Sequence, residues 1–406
     1  MPDNFKKLMS ARFFFTLAVQ MQAIVLGWRM YELTKDALYL GLIGLVEAIP
    51  ALSLAIFAGY IVDRSRPLII YRRLVYISLT SGLLMLLSQL KSVGLEDSLQ
   101  IKLLFISSFL TGCARAFSQP SMFSLVPKLI ARALLPTSSA WMSSAMQTAR
   151  ISGPALGGIL FGFIGVSGTA SIVCLFLMMT SLFLLLIDFK GPPNKPEATK
   201  SIKEELLSGA KFVFKHPILF PALTLDMVSV LFGGVTALLP IYAAEILFIG
   251  PEGLGLLRGG PAIGAFIMST ILIRANIKTN AGAKLFISVA GFGVCILIFA
   301  LSRNTILSLS ALIMAGAFDS VSMVIRTATV QLTSPDHMRG RISAINSIFI
   351  GSSNELGEFE SGIATKLMGL VPAAVFGGVA CIVTVGIMAV ISPKLRKLDL
   401  DELEKL

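Results

Sequence analysis

The chain has 406 residues, 55% of them hydrophobic and only 14% charged. Soluble domains carry about 25% charged residues, so the composition excludes a soluble globular protein and calls for counting in membrane spans of about 20 apolar residues. The net charge of +11 would by itself suit a nucleic-acid partner, but its placement along the chain follows membrane topology, and none is expected.

The N-terminus, "MPDNFKKLMSAR", is basic and leads into an apolar run too long for a signal-peptide core and without a clear cleavage site. It reads as an uncleaved first span. Apolar runs then give twelve candidates, near 9–33, 38–62, 73–91, 102–127, 138–164, 168–188, 218–247, 253–274, 283–302, 305–331, 342–368 and 371–392. Loops alternating toward one side hold Arg64, Arg66, Arg72, Arg73, Lys190, Lys195, Lys200 and Lys203, whereas the other side holds Lys35, Lys91, Lys102, Arg303 and Lys366. The positive-inside rule therefore places both termini in the cytoplasm.

Between the sixth and seventh spans runs "KGPPNKPEATKSIKEELLSGAKFVFKHP", a Pro-rich linker that turns into a Lys/Glu-bearing amphipathic pattern. It divides the chain into a six-helix half over 1–190, a cytoplasmic linker over 191–216 and a second six-helix half over 217–406. The halves look related. Displacing the sequence by 204 positions, so that Gly112 falls on Gly316, overlays "GCARAFSQPSMFSLV" on "GAFDSVSMVIRTATV" and sets Arg115 on Asp319. A parallel repeat with binding at the repeat interface is one transporter design.

Cys113, Cys174, Cys295 and Cys381 stand singly in apolar runs, and His216 and His337 are isolated, so neither a disulfide framework nor a metal site is expected. No HExxH, GxSxG or P-loop pattern occurs. Enzyme chemistry, a cofactor and ATP as energy source are accordingly not expected.

"GYIVDRSRPLIIYRR" after the second span resembles the Gly-x-x-x-Asp-Arg gating loop of the major facilitator superfamily at Gly59, Asp63 and Arg64. It departs from the usual pattern beyond them, where Arg66 and Pro67 follow and Arg72 and Arg73 come late. "SGPALGG", with Gly153, Pro154, Gly157 and Gly158, is similar to that superfamily's antiporter Gly-Pro motif. "ARAFSQPSMFSLVPKL" and "SPDHMRGRISAINSIFIGSSNELGEFESG" look most like the branch containing enterobactin exporters and macrolide efflux pumps. The resemblance implies an all-α integral membrane protein, with twelve transmembrane helices in two six-helix halves. It also implies secondary export of a small amphipathic molecule across a bacterial inner membrane, with protons as the coupling ion. A monomer is expected. Uptake by symport and lipid translocation are the alternatives on the same fold.

Ionisable residues inside spans are functional candidates by default. They are Arg29, Glu47, Arg115, Arg150, Asp226, Arg258, Asp319, Arg326, Glu355, Glu358 and Glu360. Arg29, Arg258 and Arg326 lie near span ends, where long side chains snorkel to the interface. Glu47, Arg115, Arg150, Asp226 and Asp319 lie deeper and suit either structural ion pairs or transport. In the fold that the resemblance implies, Arg115 and Asp319 form a charge pair across a central cavity.

In "NELGEFESG", Ser347, Gly351, Asn354, Glu358, Ser361 and Thr365 share one helical stripe at about 100° per residue. Two readings stay open: a polar seam bonding neighbouring helices, or a close Glu355–Glu358 pair whose mutual repulsion retains one proton. The second makes Glu358 the leading proton carrier and Glu355 its tuner, with Glu47 and Asp226 as further coupling candidates. Glu360 points away from Glu358.

Overall fold

Backbone amides inside a bilayer find no water, so a spanning segment closes its hydrogen bonds within itself as a helix. The computed structural model describes residues 2–89, 94–131, 134–188, 202–272, 274–275, 277–335 and 338–403, and holds no strand among them. The first part of the chain forms α1 (Asp3–Thr34), α2 (Ala37–Asp63), α3 (Pro67–Gln89), α4 (Asp97–Leu129) and α5 (Leu135–Leu185). Next come α6 (Ile202–Lys215), α7 (Leu219–Gly233), a tight turn over Val235–Leu238, α8 (Leu239–Ile241) and a widened π turn over Tyr242–Ile246. The remainder is α9 (Gly250–Leu272), α10 (Ala281–Leu301), α11 (Thr305–Thr333), α12 (Arg339–Met368), α13 (Leu370–Ile391), α14 (Pro393–Arg396) and α15 (Leu400–Leu403).

The helix ends have local causes. Lys35 stops α1 in the left-handed conformation, its N–H bonding the Tyr31 carbonyl at 2.9 Å. Asp36 then starts α2 by accepting the Leu38 N–H at 2.9 Å, and Asn304 starts α11 through the Ile306 and Leu307 N–H groups.

Ten helices among the described residues are long and apolar enough to cross a membrane. One of these is α5, whose 51 residues would extend roughly 75 Å as one helix, against a hydrocarbon core of about 30 Å. It is broken at Gly165, where φ 68° and ψ −176° require glycine, between the two spans expected at 138–164 and 168–188. Helix α12 has the length of a span but is too polar to be among the ten.

The chain divides into two compact units. Unit 1 comprises Met1–Glu197 with Leu239–Gly259, and unit 2 comprises Ala198–Leu238 with Gly260–Leu406. The exchanged stretch begins where α7 gives way to irregular turns and ends at the Gly259–Gly260 step in α9.

Each unit contains a close helix crossing at one of the two glycines that the 204-position displacement overlays. In unit 1, a Cβ on Gly112 of α4 would collide with the Glu47 carbonyl of α2 and lie 2.8 Å from Pro50. In unit 2, a Cβ on Gly316 of α11 would collide with the Pro261 carbonyl of α9. Backbone-to-backbone approach of this kind needs small residues.

Unit 2 also buries the end of the chain. Leu395, Leu398 and Leu400 pack with Ala222, Leu225 and Ile325, and the Leu400 N–H bonds the Lys278 carbonyl at 3.0 Å. Asp399 accepts the Asn280 and Asp401 N–H groups at 3.1 and 2.9 Å, which holds its carboxyl below the usual carboxylate range.

Candidate functional site

Within unit 1, Arg115 Nη1 lies 2.5 Å from Glu47 Oε1, with the side chains 43% and 18% exposed. The crossing at Gly112 sets this pair, since it presses α4 onto the Glu47 backbone one turn away. The expected Arg115–Asp319 pair would join residues of different units. Inside its own unit, Arg115 has Glu47.

Arg12 of α1, the last residue of the basic N-terminal stretch "MPDNFKKLMSAR", is only 7% exposed. It donates to Ser118 and, at 3.4 Å, to Gln119 of α4, and lies against the Phe15 ring. Its Nε is buried without a partner. Arg150 of α5 is exposed and within electrostatic reach of Arg12 and Arg115.

Deeper along α1, buried Gln22 donates to Ser81, Ser107 and Thr111 at 2.7, 3.1 and 3.1 Å. An uncharged polar residue in mid-span was a signal available in the sequence. A reading built on charge passes over it.

The Gly-Pro motif is a packing device. A Cβ on Gly153 would sit 2.6 Å from Gln20 Cβ, and one on Gly157 would sit 3.0 Å from Met21 Cα, both on α1. A Cβ on Gly158 would meet Gly255 Cα at 2.8 Å, and one on Gly255 would meet the Pro154 carbonyl at 2.6 Å. Four residues thus seat α5 against α1 and the first part of α9.

Near the end of α1, Arg29 bonds Glu32 and Gln100, each at 3.0 Å, Tyr31 donates to Glu245, and Arg258 approaches Gly27. Arg72 donates to the Leu184 and Ile187 carbonyls at 2.8 and 3.2 Å, and Lys7 to that of Leu186 at 2.9 Å. These cations satisfy orphan carbonyls at the C-terminus of α5.

A Cβ on Gly59 would meet nothing within 4 Å, and Arg64 is exposed at the end of α2. The side chains of Asp63, Ser347 and Glu355 lie outside those described, as does His337 altogether.

In unit 2, Asp226 of α7 and Arg326 of α11 form an ion pair, 5% and 6% exposed. This corrects the snorkelling reading of Arg326: α11 runs on to Thr333, and a buried carboxylate holds the guanidinium inside. Asp319 lies two turns before Arg326 on α11, within electrostatic reach of both Arg326 and Asp226.

Helix α12 packs on α7 through Gly357, where a Cβ would lie 2.8 Å from the Leu231 carbonyl, and through Ser361, which donates to the Gly234 carbonyl at 3.1 Å. The stripe therefore splits. Ser361 serves the helix seam, Asn354 is exposed and bonds its own helix, and Glu358 is half-buried beside it. Glu360 is half-buried. Among the described residues no cluster of His, Cys, Asp and Glu suits a metal ion.

The family described as transmembrane secretion effector matches residues 2–406. The multidrug efflux pump Tap of Mycolicibacterium fortuitum is 24% identical, covering 93% of this chain and 92% of that protein. The staphyloferrin A transporter of Staphylococcus aureus is 22% identical over 98% of both chains. The enterobactin exporter EntS of Shigella boydii is 23% identical over 55% of this chain and 53% of its own. Among solved structures, a POT family transporter in complex with 5-aminolevulinic acid superimposes with TM-score 0.79 over 97% of both chains at 12% identity.

Proposed function

This chain belongs to the transmembrane secretion effector family of the major facilitator superfamily, and from that premise we propose that it exports a small amphipathic molecule across the bacterial inner membrane by proton antiport. Ten apolar helices among the described residues, the break at Gly165 and the long polar α12 support a twelve-span topology, and the excess of Lys and Arg on alternate loops supports cytoplasmic termini. It works as a monomer, with Gly59, Asp63 and Arg64 in the cytoplasmic gating loop. Efflux as the direction is supported by relatives named as an efflux pump and an exporter.

One observation carries the coupling. Asp226 pairs with Arg326, and Asp319, two turns before Arg326 on α11, lies within electrostatic reach of both, so the triad sets two carboxyl groups near one guanidinium inside an apolar unit. A second carboxylate charge in such surroundings is costly, and a proton removes that cost. The triad therefore holds a proton while closed and gives it up when water reaches it. Asp226 is buried, whereas half-buried Glu358 beside exposed Asn354 reaches further toward water. Glu358, tuned by Glu355, passes the proton between solvent and the triad.

Inverted membrane vesicles given an acid-inside gradient test this on a siderophore and antibiotic panel. Gradient-dependent accumulation that Asp226→Asn abolishes is expected. Accumulation indifferent to the gradient, or by right-side-out vesicles only, would overturn antiport export.

A further inference from the structure

Proton coupling in unit 2 leaves three arginines of unit 1 without a role. Arg12, Arg115 and Arg150 come from α1, α4 and α5, and Glu47 pairs with Arg115. Among the described residues no acidic side chain pairs with Arg150 or Arg12. Three guanidinium groups thus stand against one carboxylate. Arginine does not lose its proton at any working pH, so the surplus cannot titrate away.

The position of Arg150 excludes a lipid-facing side chain. It lies one turn before Gly153 and Pro154, on the face of α5 that those residues and Gly157 press against α1 and α9. The packed face ends at Arg150, which is exposed. Beside it, Arg12 is held by Ser118 and Gln119, with a buried Nε that bonds nothing. An exposed guanidinium backed by two further cations, on the protein-facing side of a span, is built to receive an anion.

We propose that the exported molecule is an organic acid, and that Arg150 takes its carboxylate or equivalent acidic group in the positive field of Arg12 and Arg115. This rests on the export reading for the identity of the ligand as cargo. A guanidinium fork matches a carboxylate in two parallel bonds, so Arg150 is a specificity residue for charge.

Equilibrium binding to the purified full chain in non-ionic detergent tests it, with pyrenebutyrate and pyrenebutylammonium as fluorescent probes of like shape and opposite charge. The wild-type chain is expected to bind the acid roughly tenfold or more tighter than the amine. Arg150→Gln should weaken the acid by roughly tenfold to a hundredfold and leave the amine unchanged. Arg150→Lys should retain part of the preference, and Arg150→Glu should reverse it.

Equal binding of the two probes by the wild-type chain would overturn the proposal without any variant. So would an unchanged preference in Arg150→Glu. In nanodiscs, loss of acid binding on replacing phosphatidylcholine by phosphatidylglycerol would assign the arginines to a lipid headgroup and overturn it as well. Because binding needs no gradient, the two readings fail separately. Selective acid binding without proton-driven export sinks antiport alone, and proton-driven export of the amine with no charge preference sinks this inference alone.

Discussion

The two units use the same glycine to seat one helix on another, and three residues further along they place opposite charges. Gly112 is followed by Arg115 in unit 1, and Gly316 by Asp319 in unit 2. Unit 1 sets Arg12 and Arg150 within electrostatic reach of one another near the Arg115–Glu47 pair, whereas unit 2 sets a second carboxyl, Asp319, within reach of the Asp226–Arg326 pair. The packing is common to both units, and the chemistry differs. Carboxylates exchange protons at working pH and guanidinium groups do not, so the proposed proton coupling falls to unit 2 and the proposed charge selection to unit 1.

The largest expected effect comes from breaking the buried pair of unit 2. Arg326→Gln alone leaves the buried Asp226 carboxylate without its cation, which costs about 3–5 kcal/mol and lowers the thermal unfolding midpoint in detergent, whereas Asp226→Asn leaves Arg326 the Asp319 carboxylate and should cost less. The neutral double variant Asp226→Asn/Arg326→Gln should regain most of that stability but no gradient-driven transport. Glu47→Gln in unit 1 should cost about 1 kcal/mol or less, because its partner is nearly half exposed. Wild-type transport by the double variant would remove coupling from unit 2.

Next in size is a test of the shared packing. Gly112→Ala and Gly316→Ala each drive a methyl group into a backbone carbonyl of the neighbouring helix, and overpacking of this kind costs about 1–3 kcal/mol. The two midpoints should fall by similar amounts. A loss confined to one variant would mean that the copies do not share this crossing.

A smaller effect separates the carboxylates within unit 2. Glu358→Gln should slow proton-driven transport without abolishing it, since the triad remains, while Glu360→Gln should matter least. Full loss in Glu358→Gln together with retained gradient response in Asp226→Asn would exchange their roles. Proton flux in reconstituted vesicles reads both.

The elements follow closely from hydropathy because span length is a local property, set by about 20 apolar residues at a time. The expected interruption between 164 and 168 coincides with Gly165, where only glycine tolerates the backbone. Partner choice is not local. Nothing in the periodicity marks Leu239–Gly259 as belonging with unit 1, nor tells that Arg12 turns inward to α4 while Arg72 turns to the end of α5. Arg326 misled for the same reason. Its distance from the span end suggested snorkelling, and only Asp226 on a distant helix decides otherwise.

The smallest expected effect distinguishes how the two units finish a helix near the proposed cytoplasmic side. In unit 1, Arg72 and Lys7 cap α5 by donating to carbonyls at its C-terminal end. In unit 2, His216 Nδ1 accepts the Ile218 and Leu219 N–H groups at 3.3 and 3.2 Å at the start of α7, and only a neutral imidazole can accept. Burial pushes the His216 imidazole below its ordinary value, so the unfolded chain takes up its proton first as pH falls. The cap's contribution is therefore complete above about pH 6.5 and is lost as pH drops through the lowered folded value. His216→Asn supplies an acceptor at all pH, so it should remove this part of the pH dependence of unfolding while changing stability at pH 7 by about 1 kcal/mol or less. Identical pH profiles for wild type and His216→Asn would show that the imidazole does not cap α7.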